Sequence, residues 1–201
     1  MPYILGLTGN IASGKTTVGL LLLELGVDVY VDADVVVHEL YLPGRTLPPR
    51  LAEAFGPEIL DSDGGVDRRA LGEIVFDNPE RLRQLEAIVH PAVREELLRR
   101  MRALRPDEIG VLDAVKLIES GYAPFCHGVW IVTCSPETQL QRLIQTRGLT
   151  EEEARARLAA QPPIDAKLPL ATAIIHNDGS LDDLRRQVTE AWARFKASLP
   201  K

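Results

Sequence analysis

Residues 9–16 of this chain read Gly9-Asn10-Ile11-Ala12-Ser13-Gly14-Lys15-Thr16, a full fit to the pattern G-x-x-x-x-G-K-[ST]. An apolar run from Tyr3 to Thr8 precedes it, and a helical segment from Ser13 to Leu25, closed by Gly26, follows. Each residue type has a physical reason. Glycines let the backbone turn so that successive N–H groups face phosphate oxygens. The helix that follows offers the positive end of its dipole to the anion. Lys15 is a point charge for the β- and γ-phosphates, and Thr16 carries a hydroxyl that can ligate Mg2+. A random chain of this length holds the pattern with a frequency of about 1%. A nucleotide-phosphate site is therefore expected at Gly9 to Thr16, extending to Thr17.

Four more short runs read as strands: Val27 to Val31, a stretch between Ile109 and Leu117, Val129 to Cys134, and Thr172 to His176. Most are apolar rather than alternating, as in strands buried on both faces. Helical segments separate them, which predicts an α/β fold with a mostly parallel, five-stranded sheet. The interval from about Asp34 to Pro106 reads as all helix. Apolar residues recur at helical spacing through Leu82, Leu85, Ile88, Val89, Val93, Leu97, Leu98 and Met101. Asp61-Ser62-Asp63-Gly64-Gly65 marks a turn within it. So long an interval favours a substrate-binding insertion over a plain helical cover for the sheet. Leu149 to Gln161 opens with Thr150 as a cap and Glu153 at the capping-box position. It is charged nearly all round, which reads as a solvated face or a mobile lid.

Composition narrows the partners. With 29 acidic and 23 basic residues the net charge is −6, so an extended nucleic-acid surface is not expected. Cys126 and Cys134 form no CxxC pair, which suits a reducing compartment. The N-terminus lacks a signal-peptide pattern, and no apolar run is long enough to span a membrane. A cytoplasmic protein is expected, with no membrane partner. Nothing in the pattern specifies an oligomeric state.

Phosphate binding alone leaves GTPases, ATPases and kinases open. No NKxD-like guanine motif is visible, and the chain is small for a motor or transporter ATPase. Asp32-Ala33-Asp34 closes the second strand. In extended chain a spacing of two puts both carboxylates on one side. One would accept a proton from a substrate hydroxyl while the other holds Mg2+ through water. The competing reading is a pair of helix-capping aspartates. Pro91, after His90, is expected to interrupt or start a helix. Arg94 and Arg99 are candidates for a phosphate, and Asp113 is placed like a Walker B acid. Arg142 and Arg147, on the helix after the fourth strand, are candidate lid arginines or plain surface charges. Asn177-Asp178-Gly179-Ser180 reads as a turn plus N-cap, with Asn177 a candidate adenine contact.

Together these residues resemble the dephospho-coenzyme A kinase family over nearly the whole chain. The resemblance rests on Gly6-Leu7-Thr8-Gly9 running into the phosphate loop, Leu25-Gly26-Val27 and Asp32-Ala33-Asp34. It continues through Leu85 to Pro91 with Arg94, Glu119-Ser120-Gly121, Ala159-Ala160-Gln161, and His176 to Leu184. It implies a P-loop kinase core (1–33, 107–140 and 168–201), a helical coenzyme A-binding insertion (34–106) and a lid (141–167). It implies transfer of the ATP γ-phosphoryl group to the 3′-hydroxyl of the dephospho-coenzyme A ribose, with Mg2+ accompanying ATP. By position, Asp34 resembles the general base and Asp32 its partner near Mg2+. Thr8, His90 and Arg94 resemble substrate-side groups, and Arg142 a lid arginine.

The chain departs from the family pattern in places. Asn10 and Ala12 stand where glycine is usual. Ala12 must therefore keep a negative φ or carry strain. Val115-Lys116-Leu117-Ile118 replaces an apolar wall, putting the charge of Lys116 near the crevice. Thr146 stands where the second lid arginine is usual, and Arg147 is displaced by about 100° on a helix. Gln161-Pro162-Pro163 carries prolines where the family often has Met-Ser. The alternatives are another small-molecule kinase, acting on a nucleoside or nucleoside monophosphate, and a nucleotide-binding regulator. The insertion with His90-Pro91 argues against the first. The two aspartates argue against the second, because a pure switch needs no base for an alcohol.

Overall fold

The computed structural model describes residues 2–200. It divides into two compact units, one holding the chain up to Tyr30 and from Leu104 onward, the other Val31–Ala103.

The first unit is built on a parallel sheet. The sheet's strands are β1 (Tyr3–Gly9), β2 (Val29–Asp32, whose last two residues belong to the second unit), β3 (Ile109–Asp113), β4 (Gly128–Thr133) and β5 (Ala173–His176), in the order β2-β3-β1-β4-β5. β1 is central, with Leu5 opposite Val111 in one neighbour and Gly128 in the other. Between the strands run α1 (Lys15–Glu24), α6 (Pro136–Arg147) and α7 (Glu151–Ala159), and α8 (Leu181–Ser198) ends the chain. Leu5 and Leu7 of β1, Trp130 and Val132 of β4, and Val18, Leu21 and Leu22 of α1 form one core with α8. α8 contributes Leu184, Val188, Ala191, Trp192 and Phe195, a helical stripe that buries one face. Trp192 stacks on Phe195 at 5.7 Å and donates its indole N–H to the Leu25 carbonyl at 3.2 Å. Each large side chain buried in this way contributes roughly 1.5–3 kcal/mol.

The strand expected at Val27 to Val31 begins later. Val27 N–H still bonds to Leu22 O and its side chain joins the core, so it closes α1. Asp28 turns its carboxylate to the Ile109 N–H at 2.8 Å. Only from Val29 does the chain run as strand. β3 likewise uses only the first five residues of its run, because Leu117 N–H turns back to Ala114 O. The caps read from sequence hold: Thr150 and Ser180 each form a full capping box, with Glu153 and Asp183.

The second unit is helical: α2 (Ala33–Leu40), α3 (Leu47–Phe55), α4 (Arg68–Val75) and α5 (Pro79–Arg102). α2, α3 and α4 each pack on α5. α5 buries Val89, Val93, Leu97 and Met101, while Leu82, expected in the same stripe, is exposed. The turn at Asp61 to Gly65 is present, with the Asp61 carboxylate accepting from the N–H groups of Asp63 and Gly65. Pro91 neither breaks nor starts a helix but lies inside α5. It removes one backbone bond, to the carbonyl of Ala87. Burial of α5 along its length, and caps from Asn78 and Pro79 at its start, offset that loss.

Glu96 sits between Arg99 and Arg100, accepting from both at 2.7 and 2.8 Å, and Arg100 also pairs with Glu39 of α2. The hydrogen bond from Arg99, joined by that from Arg100, holds the Glu96 carboxyl down at about 2. A depressed carboxyl adds stability above its unfolded value and loses it as pH falls through the folded one. Glu96→Gln is thus expected to lower stability by about 1 kcal/mol at pH 7. In denaturant titrations the gap to the parent protein closes between the ordinary glutamate range and pH 2, provided both remain folded.

Candidate active site

The phosphate loop lies between β1 and α1, as its pattern requires. A loop that turns its N–H groups toward an anion leaves its carbonyls pointing elsewhere, and buried carbonyls need donors. Side chains from other elements supply them. Arg142 on α6 donates to Ala12 O at 3.2 Å, Ser13 O at 3.3 Å and Asn177 O at 2.8 Å. Asn177, buried after β5, donates through Nδ2 to Ser13 O at 2.8 Å. Gln139 donates to Ile11 O at 2.8 Å. Arg142 and Asn177 thus brace the loop backbone, a role that sequence reasoning missed because it follows from neighbours more than a hundred residues away.

That brace explains Gly14. Its φ is +90°, and a Cβ there would stand 1.9 Å from Asn177 Nδ2. Ala12 has no such freedom, yet its φ is +58°. The expected conflict is therefore real and resolves as strain. An alanine in the left-handed region costs roughly 1–2 kcal/mol. Arg142 holds it there, together with the Cys134 thiol, which lies 3.8 Å from Ala12 O. Burial raises the Cys134 thiol above its ordinary range, which favours the protonated form that donates.

Lys15, first residue of α1, forms an ion pair with the carboxylate of Asp113, which is 1% exposed at the end of β3. Tyr30 donates its hydroxyl to the other oxygen of Asp113. Tyr30 reaches it over Gly19, where a Cβ would meet its hydroxyl at 2.2 Å. Asp113 thus holds Lys15 at the loop, in keeping with its Walker B-like place. Thr16 is exposed, Thr17 half-buried, and the Ser13 hydroxyl is buried with no protein partner. An orphaned hydroxyl in such a loop suits a phosphate oxygen as acceptor. Asn10 donates to Pro162 O at 3.0 Å, and Ile11 N–H to Gln161 Oε1 at 3.4 Å. Thr8 is fully buried and donates its hydroxyl to Val115 O at 2.9 Å, so it acts on the chain after β3. Lys116 and Arg147 are exposed, and α6 stops at Gly148 with φ +64°.

In the second unit, the extended-chain argument for Asp32 and Asp34 fails. Asp32 ends β2 and caps α2, its Oδ1 accepting from Asp34 N–H at 2.8 Å and Val35 N–H at 3.4 Å. Asp34 lies in the first helical turn, so helical rather than strand geometry sets the angle between the two. Capping accounts for Asp32 Oδ1 but leaves Oδ2 outside the cap, and it does not use the exposed carboxylate of Asp34. His90 and Arg94 are exposed on α5, the helix against which α2 packs.

A β-α-β unit with a braced G-x-x-x-x-G-K-[ST] loop and a lysine held by a strand-end aspartate defines a P-loop nucleotide-binding fold. The family profile described as dephospho-CoA kinase matches residues 3–183. The chain belongs to the dephospho-CoA kinase family. It is 50% identical to the dephospho-CoA kinase of Symbiobacterium thermophilum over 191 residues, covering 94% of this chain and 80% of that one. It is 44% identical to that of Geobacillus kaustophilus over 199 residues, covering 98% of each. Among solved structures, the dephospho-CoA kinase of Campylobacter jejuni is similar with a TM-score of 0.68 and 28% identity, covering 96% of this chain and 97% of that one.

Ala12→Gly should relieve the strained loop. The expected gain is about 1 kcal/mol in denaturant unfolding, less than the full strain because glycine also frees the unfolded chain.

Proposed function

We propose that this chain transfers the γ-phosphoryl group of ATP to the 3′-hydroxyl of the dephospho-coenzyme A ribose, giving coenzyme A and ADP. The observation that carries this reading is the family match from residue 3 to residue 183, which takes in both the phosphate loop and the aspartate pair. ATP is held by the backbone N–H groups of Gly9 to Thr16, by Thr17 and by Lys15. Lys15, held at the loop by Asp113, offers its remaining ammonium protons to phosphate oxygens. Arg142 and Asn177 serve ATP by fixing the loop that binds it.

Asp34 accepts the proton of the ribose hydroxyl as its oxygen bonds to phosphorus and the bond to the β-phosphate oxygen breaks. Its exposed carboxylate at the start of α2 supports that role. Thr8, His90 and Arg94 belong on the substrate side, with Thr8 acting through the Val115 carbonyl. The Thr16 hydroxyl and Asp32 Oδ2 are hard oxygen donors of the kind Mg2+ takes. Mg2+ bound with ATP would neutralise charge on the phosphoryl group in transit. The residues 34–106 form the coenzyme A-binding insertion and 141–167 the lid. Among the described residues no helix is long and apolar enough to cross a membrane.

ADP release coupled to a reporter should be fast with dephospho-coenzyme A and near background with adenosine or AMP. The opposite preference would instead favour a nucleoside or nucleoside monophosphate kinase. Asp34→Asn should lower kcat by about 100-fold or more while the Kd for ATP stays within about threefold. Near-normal turnover would remove Asp34 from the role of base.

A further inference from the structure

Lys167 is the only lysine or arginine among the described residues that is buried, at 4% exposure. It sits in a short turn between α7 and β5, beyond Gln161 and Pro162, which meet the phosphate loop. Its ammonium pairs with Glu119 Oε1 at 3.0 Å and donates to Val115 O at 3.2 Å. Val115 O is the same carbonyl that Thr8 donates to, two residues beyond the aspartate that holds Lys15.

We infer that Lys167 is a positioning residue for phosphoryl transfer, fixing the backbone between Asp113 and Glu119 and thereby the Asp113–Lys15 pair. The inference rests on the kinase reading above. A buried ammonium is costly to desolvate, and a methionine of similar volume would fill the site at less cost. Holding one carbonyl and one carboxylate at fixed points is what the charge adds. Two donors from different elements, Thr8 on β1 and Lys167 after α7, converge on Val115 O and leave the chain after β3 little freedom. The Lys167 ammonium is engaged by Val115 O and Glu119, so it acts through them rather than on substrate. The same short stretch is tied at its other end to Asn10 and Ile11 of the loop. One segment therefore links both sides of the Lys15 environment.

The test compares wild type, Lys167→Met, Lys167→Arg, Glu119→Gln and the Lys167→Met/Glu119→Gln double variant. Wild-type turnover of dephospho-coenzyme A is established first, so that failure of the kinase reading is seen separately. Lys167→Met should lower kcat by about tenfold or more, with KM for both substrates within about threefold and the thermal midpoint within about 3 °C. Lys167→Arg should recover most of the rate. The double variant should be no slower than the slower single one, as expected of residues acting as a unit. Glu119→Gln, at a side chain 36% exposed, keeps the test open if Lys167→Met does not fold, since it too should lower kcat at unchanged KM. Wild-type kcat in Lys167→Met, a loss confined to KM, or a loss that follows thermal stability in every variant, including arginine, would overturn the inference.

Discussion

Carbonyl groups are the constraint on which this nucleotide site depends. A loop that aims its N–H groups at phosphate must turn its C=O groups into the protein, and none of these can be left unpaired at low cost. Here Arg142, Asn177 and Gln139 meet the carbonyls of Ile11, Ala12 and Ser13. The demand reaches outward from the loop. Asn177 needs glycine at position 14, and β5 must end where it does to place Asn177. Asp178, next in chain, then ties Ser135 and Thr138 at the start of α6, the helix that carries Arg142. The hydrogen bond from the Ser135 N–H is the chief reason its carboxyl lies below the ordinary range.

A second centre, Asp113, organises the charge. Buried between Lys15 and Tyr30, it gives the lysine a defined place at the head of α1. A buried ion pair of this kind adds little net stability, because desolvation offsets most of the attraction. Its value is directional: it holds a mobile ammonium at the loop. The stretch after Asp113 is fixed in turn by Thr8 and Lys167 through one carbonyl.

Much of the fold was legible along the chain. Apolar runs without alternation announced buried parallel strands, and Thr150 and Ser180 announced helix starts, because both signals are local. Legibility failed where tertiary context overrode a local rule. Pro91 sits inside α5 because burial of Val89, Val93 and Leu97 outweighs one lost backbone bond. Val27 belongs to the helix side of its turn because its side chain fills the core. Asp32 and Asp34 looked like one face of a strand, but Asp32 caps a helix, and that bond ends the extended geometry.

The sequence by itself determined the phosphate loop, the family and the residue types that the chemistry uses. These are carried by short contiguous motifs whose backbone consequences are local. The tertiary structure decided what Arg142, Asn177 and Lys167 do, since each reaches a partner far away in sequence: 130 residues from Arg142 to Ala12, 164 from Asn177 to Ser13 and 52 from Lys167 to Val115. It also decided the angle at Ala12: an alanine takes φ +58° only when the side chains around it hold its carbonyl in place, and no local pattern encodes that.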